Sequence, residues 1–394
     1  MEVYLDNAAT TRVCPEAADI AYKVMTECYG NPSSTHTKGR EAKTYLDTAR
    51  SQIAAALGCS AAEVYFTSCG SESDVWVITK GAESMSRRGK HIISSAVEHD
   101  AVRKTLEDLG ARGFEVTYLA PEKDGAISVE SVKNALREDT ILVTLMMVNN
   151  ETGGITDIAG IAKMLKAEGS KALLHTDAVQ GFMKVPFSAK KLGADMISIS
   201  GHKIHAPKGI GALYIKTGVK IKPLIRGGAQ ESGMRAGTEA MPQIAAFGKA
   251  AEIAFAGMQD NCEKMARLRA LGVERVVFCR DGAVVCLHGI DLCEIRPGDT
   301  ALIIGGGAPH ILSVSLPGWR SEVLMNFLEA ESIYVSRSSA CKKGGRSHVL
   351  EAMHLPAQVI DGAIRISFSR YSTEDDVLAL CSALKRAHDT LAHR

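Results

Sequence analysis

Residues 141–148 read Ile-Leu-Val-Thr-Leu-Met-Met-Val, apolar at every position except Thr144. A run this short and this apolar fits a strand buried on both faces, as happens in a parallel sheet covered by helices. Similar β-rich runs flank it at Val64–Thr67, His91–Ser94, Glu115–Leu119, Ala172–His175, Met196–Ser200 and Gly211–Ile215. Helical patterns such as Asp157–Glu168 lie between most of them. Strand, helix, strand repetition predicts an α/β fold. The expected architecture is a large domain with a mostly parallel seven-stranded sheet covered by helices, plus a smaller α/β C-terminal domain. Glu239–Met258, rich in Ala, reads as one long helix closing the large domain. The expected division is 13–258 for the large domain and 259–394, joined by 1–12, for the small one. Gly282 to Pro309 is Gly-rich and reads as irregular connections within the small domain.

Composition narrows the function classes. The chain has 394 residues, 46 Lys plus Arg, 45 Asp plus Glu, and a net charge of +1. That balance does not call for nucleic acid or an anionic membrane as partner. No apolar run reaches membrane-spanning length. Glu2 and Asp6 interrupt what would be the core of a signal peptide, so a cytoplasmic location is expected. Ten cysteines are scattered without a C-x-x-C pair or zinc spacing, so no metal site is expected. Cys279, Cys286 and Cys293 recur every seventh position and read as structural thiols.

In such a sheet, ligands bind beyond the carboxyl ends of the strands. Five post-strand segments therefore carry the candidate chemistry. Ser68-Cys69-Gly70-Ser71-Glu72-Ser73 opens a helix, and small residues with free N–H groups there suit a phosphate; an ordinary helix cap reads the same way. Glu98-His99 offers an imidazole, which alone is as well explained structurally. Asn149-Asn150-Glu151-Thr152-Gly153 offers amides, or simply a turn. Thr176-Asp177-Ala178-Val179-Gln180 places a carboxylate where burial is costly unless a cation or a protonated ring nitrogen pairs with it. Gly201-His202-Lys203 adds a lysine at the same sheet edge.

Together these residues suit one chemistry. A lysine amine forms a Schiff base with an aldehyde cofactor. A carboxylate keeps a pyridine nitrogen protonated, so that the ring withdraws electrons. Helix N-terminal amides and hydroxyls hold a phosphate, and His99 can stack on the ring.

At this point the sequence resembles the class V aminotransferase family of pyridoxal-phosphate enzymes, and within it the cysteine desulfurases. The matching segments run from Tyr4-Leu5-Asp6-Asn7-Ala8-Ala9-Thr10-Thr11 to Ile364-Arg365-Ile366-Ser367-Phe368. Between them lie Gly30-Asn31-Pro32-Ser33-Ser34, Glu98-His99, Val148-Asn149-Asn150-Glu151, His175 to Gln180, Ser200-Gly201-His202-Lys203, Gly209 to Tyr214, Arg235-Ala236-Gly237-Thr238 and Ser338-Ser339-Ala340-Cys341. The resemblance implies a fold-type I enzyme that takes sulfur from L-cysteine and releases L-alanine. Lys203 would anchor pyridoxal 5′-phosphate, Asp177 would pair with its ring nitrogen, and Gln180 and Asn150 would bond its ring hydroxyl. His99 would stack on the ring and assist proton transfer. Gly70, Ser71, Ser200 and His202 would surround the phosphate, with Thr238 supplied by the second subunit of a homodimer. Arg365, with Asn150, would grip the substrate carboxylate, a task suited to a planar bidentate donor.

Cys341 separates a desulfurase from an ordinary aminotransferase, because a thiolate there can take the sulfur as a persulfide. Lys342-Lys343-Gly344-Gly345-Arg346 follows, with cations that favour the thiolate and glycines that permit motion. The sulfur would pass to an acceptor protein, either an iron–sulfur scaffold or a tRNA-thiolation enzyme. Several positions depart from the family pattern. Cys69 stands where Gly is usual, Ser71 where Thr is common, Val75 where an amide is common, and Arg337 in a Ser- and Gly-rich segment. The loop after Cys341 is shorter than in the housekeeping iron–sulfur enzymes, and the sequence stops at Arg394 without their long tail. Both points leave the acceptor open. A selenocysteine lyase or an aminotransferase would share the cofactor site, and a colourless scaffold protein would lack it. A nicotinamide-dependent reductase is disfavoured, since no G-x-G-x-x-G follows an early strand.

Overall fold

A computed structural model describes residues 2–275, 285–286, 301–337 and 345–391. Strand β1 is Val3–Tyr4. The next seven strands are β2 (Val64–Thr67), β3 (His91–Ser95), β4 (Glu115–Leu119), β5 (Thr140–Met146), β6 (Leu173–Asp177), β7 (Met196–Ser200) and β8 (Gly211–Ile215). They form one sheet in the order β2-β8-β7-β6-β5-β3-β4. β8 runs antiparallel to both β2 and β7, and the remaining pairs are parallel. All seven strands coincide with the runs expected from the sequence, within two residues at the ends. β5 is buried at every position. It stops at Met146, after which Val148 makes an isolated bridge with Ile155.

Successive side chains on these strands feed opposite faces of the sheet. Val143, Leu145, Ile197 and Ile199 join a cluster with the helices Pro15–Thr26, Thr37–Leu57 and Met241–Ala256. Leu142, Met196 and Leu213 join another with Trp76, Ile78 and Leu106, from the helices Gly70–Met85 and Asp100–Ala111. Helices thus cover both faces, and the polar strand ends are left to face one rim.

The remaining strands are β9 (Val285–Cys286), β10 (Leu302–Ile304), β11 (Ile311–Ser315), β12 (Ile333–Tyr334), β13 (Ser336–Arg337) and β14 (Ala363–Ser367). Five of them form a second sheet in the order β13-β14-β11-β10-β9, and β1 pairs with β12. Val3 and Leu5 share an apolar cluster with Leu268, Val314, Ile366 and Leu380.

The helix expected over Glu239–Met258 is present as Met241–Ala256, and after Gly257 a second helix, Met258–Arg275, starts at once. One expectation needs correction. Within the stretch expected to be irregular, Leu302–Ile304 is a fully buried strand hydrogen-bonded to β11. Gly305, Gly306 and Gly307 follow at φ of +65°, +153° and +109°. These are values that disfavour any side chain, so the chain turns sharply where the strand ends. Residues 276–284 and 287–300, with Cys279 and Cys293, lie outside the described residues, as does 338–344 with Cys341. No helix among the described residues is long and apolar enough to cross a membrane.

Candidate active site

The carboxyl ends of β2, β3, β5, β6 and β7 surround a cavity of about 320 Å³. Its wall includes Gly70, Ser71, His99, Asn150, Asp177, Gln180, Ser200, His202, Lys203 and Arg365. Ten residues expected from the sequence are therefore brought together. Thr238 is not on this wall; it is exposed on the loop before the helix Met241–Ala256. Cys341 lies outside the described residues.

Lys203 closes a short 3-10 turn after β7. Its Nζ donates to the carbonyls of Ala8 and Ala9, at 2.6 and 2.7 Å. Two neutral acceptors hold the amine on the cavity wall. Ala8 O also accepts from Gln180 Nε2 at 2.8 Å, which fixes that amide. Thr11 Oγ1 donates to His202 O at 2.9 Å, so residues 8–11 strap the lysine turn in place.

Asp177 ends β6, and Val179 N–H donates to its Oδ1 at 2.9 Å. Burial raises its pKa, while the nearby His99 and Lys203 act in the opposite direction. A carboxylate buried this far needs a positive partner. His99 caps the helix Asp100–Ala111, its Nδ1 accepting from Ala101 N–H at 3.1 Å. That bond leaves Nε2 to carry the proton of the neutral ring. Burial and the cations Lys203, Lys208 and Lys184 push His202 down to about 4, so it is uncharged at neutral pH. Its Nδ1 lies 3.2 Å from Thr10 Oγ1.

The β2 side of the cavity is built for an anion. Helix Gly70–Met85 begins there with no side-chain cap on Cys69, leaving its first N–H groups unpaired. Those groups carry the positive end of the helix dipole. Ser200 Oγ is buried on the same wall, without a hydrogen-bond partner among the described residues. At Gly70 a Cβ would come within 2.6 Å of Val179 Cγ2, so glycine keeps the passage between them open. Cys69, one of the departures noted in the sequence, also lines the wall and is half-buried.

Arg365, on β14, is buried. It donates to Asn150 O and to Asp6 Oδ1, both at 2.9 Å, while its Nε is buried and unpartnered among the described residues. Arg337, another of those departures, pairs with Glu322 at the edge of the small sheet and is not on this cavity's wall.

The residues present fit pyridoxal 5′-phosphate. An amine, a buried anion opposite it, an imidazole, and an orphaned hydroxyl beside unpaired amides match its aldehyde, ring nitrogen, ring face and phosphate in turn. Sequence reasoning missed the carbonyls of Ala8 and Ala9, the carboxylate of Asp6 that holds Arg365, and Asp74, which also lines the cavity.

Comparison with known proteins agrees with this geometry. The sequence model described as "Aminotransferase class-V" matches residues 3–284. The cysteine desulfurase IscS of Methanosarcina thermophila is 41% identical over 377 residues, 95% of this chain and 89% of that protein. Among solved structures, a NifS-like protein is 37% identical with a TM-score of 0.89, covering 99% of this chain and 100% of that one. SspA in complex with cysteine is 30% identical with a TM-score of 0.76, covering 94% of this chain and all of that one. The chain belongs to the class-V aminotransferase family, in its cysteine desulfurase branch.

Proposed function

We propose that this enzyme removes sulfur from L-cysteine, releasing L-alanine and passing the sulfur through Cys341 to an acceptor protein. The observation that carries the proposal is the convergence of Lys203, Asp177, His99 and Arg365 on one cavity, beside the unpartnered Ser200 hydroxyl. Pyridoxal 5′-phosphate bound there supplies an aldehyde open to amines and a protonated ring that withdraws electrons.

Lys203 would hold the cofactor, with Ser71, Ser200, His202 and the amides that open the Gly70–Met85 helix around the phosphate. Asp177 would keep the ring nitrogen protonated, and Gln180 and Asn150 would orient the ring. Arg365 orients the substrate carboxylate through its fork of N–H donors. Lys203, released when substrate enters, takes the α-proton and returns it, with His99 placed to assist. The Cys341 thiolate then attacks the substrate sulfur. An S–S bond forms as the Cβ–S bond breaks; its electron pair stays with carbon, which takes a proton to become the alanine methyl group. Cys341 is left as a persulfide. An iron–sulfur scaffold or a tRNA-thiolation enzyme would accept that sulfur.

The exposed position of Thr238, away from its own cavity, supports a homodimer in which each subunit lends this residue to the other. The same proposal divides the chain into a cofactor-binding domain, 13–258, and a small domain, 259–394 with 1–12, and places the enzyme in the cytoplasm.

The experiment incubates purified protein with L-cysteine and a reductant, and measures alanine and sulfide for wild type and Cys341→Ala. Equal alanine and sulfide from wild type, with near-complete loss in the variant, is expected. A yellow, cofactor-loaded wild type that yields no alanine would sink the proposal, and amino transfer or selenocysteine would be tried next. Activity that survives in the variant would remove Cys341 from its role.

A further inference from the structure

A second carboxyl group lies beside Asp177, and the reaction described above does not use it. Asp74, on the helix Gly70–Met85, lines the same cavity and is only 1% exposed. Its Oδ1 has no hydrogen-bond partner among the described residues. That oxygen is 3.7 Å from Nε2 of His175. Ser198 bridges the two: its hydroxyl bonds the Asp74 carboxyl and lies 2.9 Å from His175 Nε2. His175 Nδ1 is in turn 2.8 Å from Thr144 Oγ1. His175 and Asp177 are two residues apart on β6 and share one face of the sheet. Ser198 is opposite Asp177 in the β6–β7 register. Asp74, Ser198, His175 and Thr144 thus form a polar layer directly beside Asp177.

Two carboxyl groups sealed this closely cannot both ionise without large cost. His175 does not relieve the repulsion, because burial holds it down to about 3 and leaves it neutral. The titratable groups that act most strongly on Asp74 are Asp177, Glu98 and Cys69, all acidic. Glu98 is itself buried and pushed up to about 8. Asp177 is better served as an anion. It has the Val179 N–H and the positive fields of His99 and Lys203.

We propose that Asp74 is a positioning residue: it retains a proton on the Ser198–His175 side of the pair, so that Asp177 alone presents negative charge to the cavity. An ionised Asp74 would divide that charge between two carboxylates and weaken the hold on a protonated ring nitrogen. A residue unable to hydrogen-bond would take from the Ser198 hydroxyl its bond to Asp74, loosening the layer beneath Asp177. The inference rests on the cofactor reading above for its consequence, though not for the protonation itself.

The test compares wild type with Asp74→Asn and Asp74→Leu, each as cofactor-loaded and cofactor-free protein at neutral pH. Infrared absorption in the carbonyl-stretch region of protonated carboxyl groups should lose one band in Asp74→Asn. Glu98 contributes equally to both spectra and cancels in the difference. Titration of cofactor-free protein with pyridoxal 5′-phosphate should show a Kd raised by about tenfold or more in Asp74→Leu. Asp74→Asn, which keeps the shape and a donor, should recover most of that loss. An unchanged infrared band pattern in Asp74→Asn would mean that Asp74 is ionised and would overturn the proposal. Equal cofactor affinity in the Leu and Asn variants would reduce Asp74 to packing and would overturn it too. A wild type that takes up no cofactor would break the cofactor reading instead, and the infrared comparison would still decide where the proton resides.

Discussion

Five strands of the large sheet end at the cavity, and each is followed by residues on its wall; the small sheet reaches it, among the described residues, through Arg365 alone. The two contributions are also held differently. Lys203, Gln180 and Asp177 are fixed by backbone groups of nearby segments. Arg365 is held by one charged side chain, Asp6, and one carbonyl. The large sheet therefore acts as a rigid frame for the cofactor, built from groups that mutation cannot easily remove. The small sheet brings the group that meets the substrate. Residues 6–11 join the two, since Asp6 bonds Arg365 while Ala8, Ala9 and Thr11 bond the lysine turn.

This division separates loss of cofactor from loss of substrate binding. The largest effect is expected at Lys203. Lys203→Ala should abolish the visible absorption of the lysine-bound cofactor and lower kcat by roughly 10⁴-fold or more. Retained absorption in that variant would show that another amine anchors the cofactor. Arg365→Ala should leave the absorption intact and raise KM for L-cysteine by roughly 10²-fold, the scale of a lost charge-assisted hydrogen-bond pair. If it instead bleached the absorption at unchanged KM, the two sheets would not divide the work in this way.

The same contrast governs what the sequence discloses. Strands β3, β5, β7 and β8 were legible because they are buried on both faces, so their apolar runs have sharp polar ends, while β4, an edge strand exposed at Glu115 and Tyr118, was legible from its β-branched residues. The residues just after those ends were legible by position, and ten of them meet on the cavity wall. The carbonyls of Ala8 and Ala9 carry no side-chain signal, so their role appears only once Lys203 is placed. Asp74 sits mid-helix, where an acidic residue usually faces water; nothing local marks it as buried against Asp177. Leu302–Ile304 is too short for alternation to register, and the glycines after it resemble a loop. Its partner β11 is what makes it a strand.

Asp6 tests the join between the regions. Asp6→Asn keeps the shape and an amide oxygen that can still accept, but removes the charge opposite Arg365. KM should rise by about 3- to 10-fold at unchanged cofactor absorption, and Asp6→Glu should recover part of the loss. An unchanged KM would mean that neutral acceptors suffice to orient the guanidinium. A bleached spectrum would place Asp6 with the lysine strap instead.

An effect on stability, with no change expected in cofactor absorption or KM, concerns the frame itself. Glu98 lies between β3 and β5, its Oε1 accepting from Ser95 Oγ at 2.5 Å and from Met146 N–H at 3.1 Å. Burial pushes it up to about 8, from 4.5 in the unfolded chain. The folded protein therefore keeps this proton while the unfolded chain has already released it. Its contribution is fully present below pH 4.5 and is lost as pH rises toward 8. Across that window wild type should lose stability relative to Glu98→Gln by at most about 1.4 kcal/mol per pH unit. Denaturant titrations of both proteins at pH 5, 6.5 and 8 measure the difference directly. The histidines with lowered pKa values are common to both proteins and cancel. A constant gap across the three pH values would mean that Glu98 is already ionised in the folded protein, with its hydrogen bonds outweighing burial. The buried acid beside Asp177 would then carry charge, and Asp177 would feel it directly.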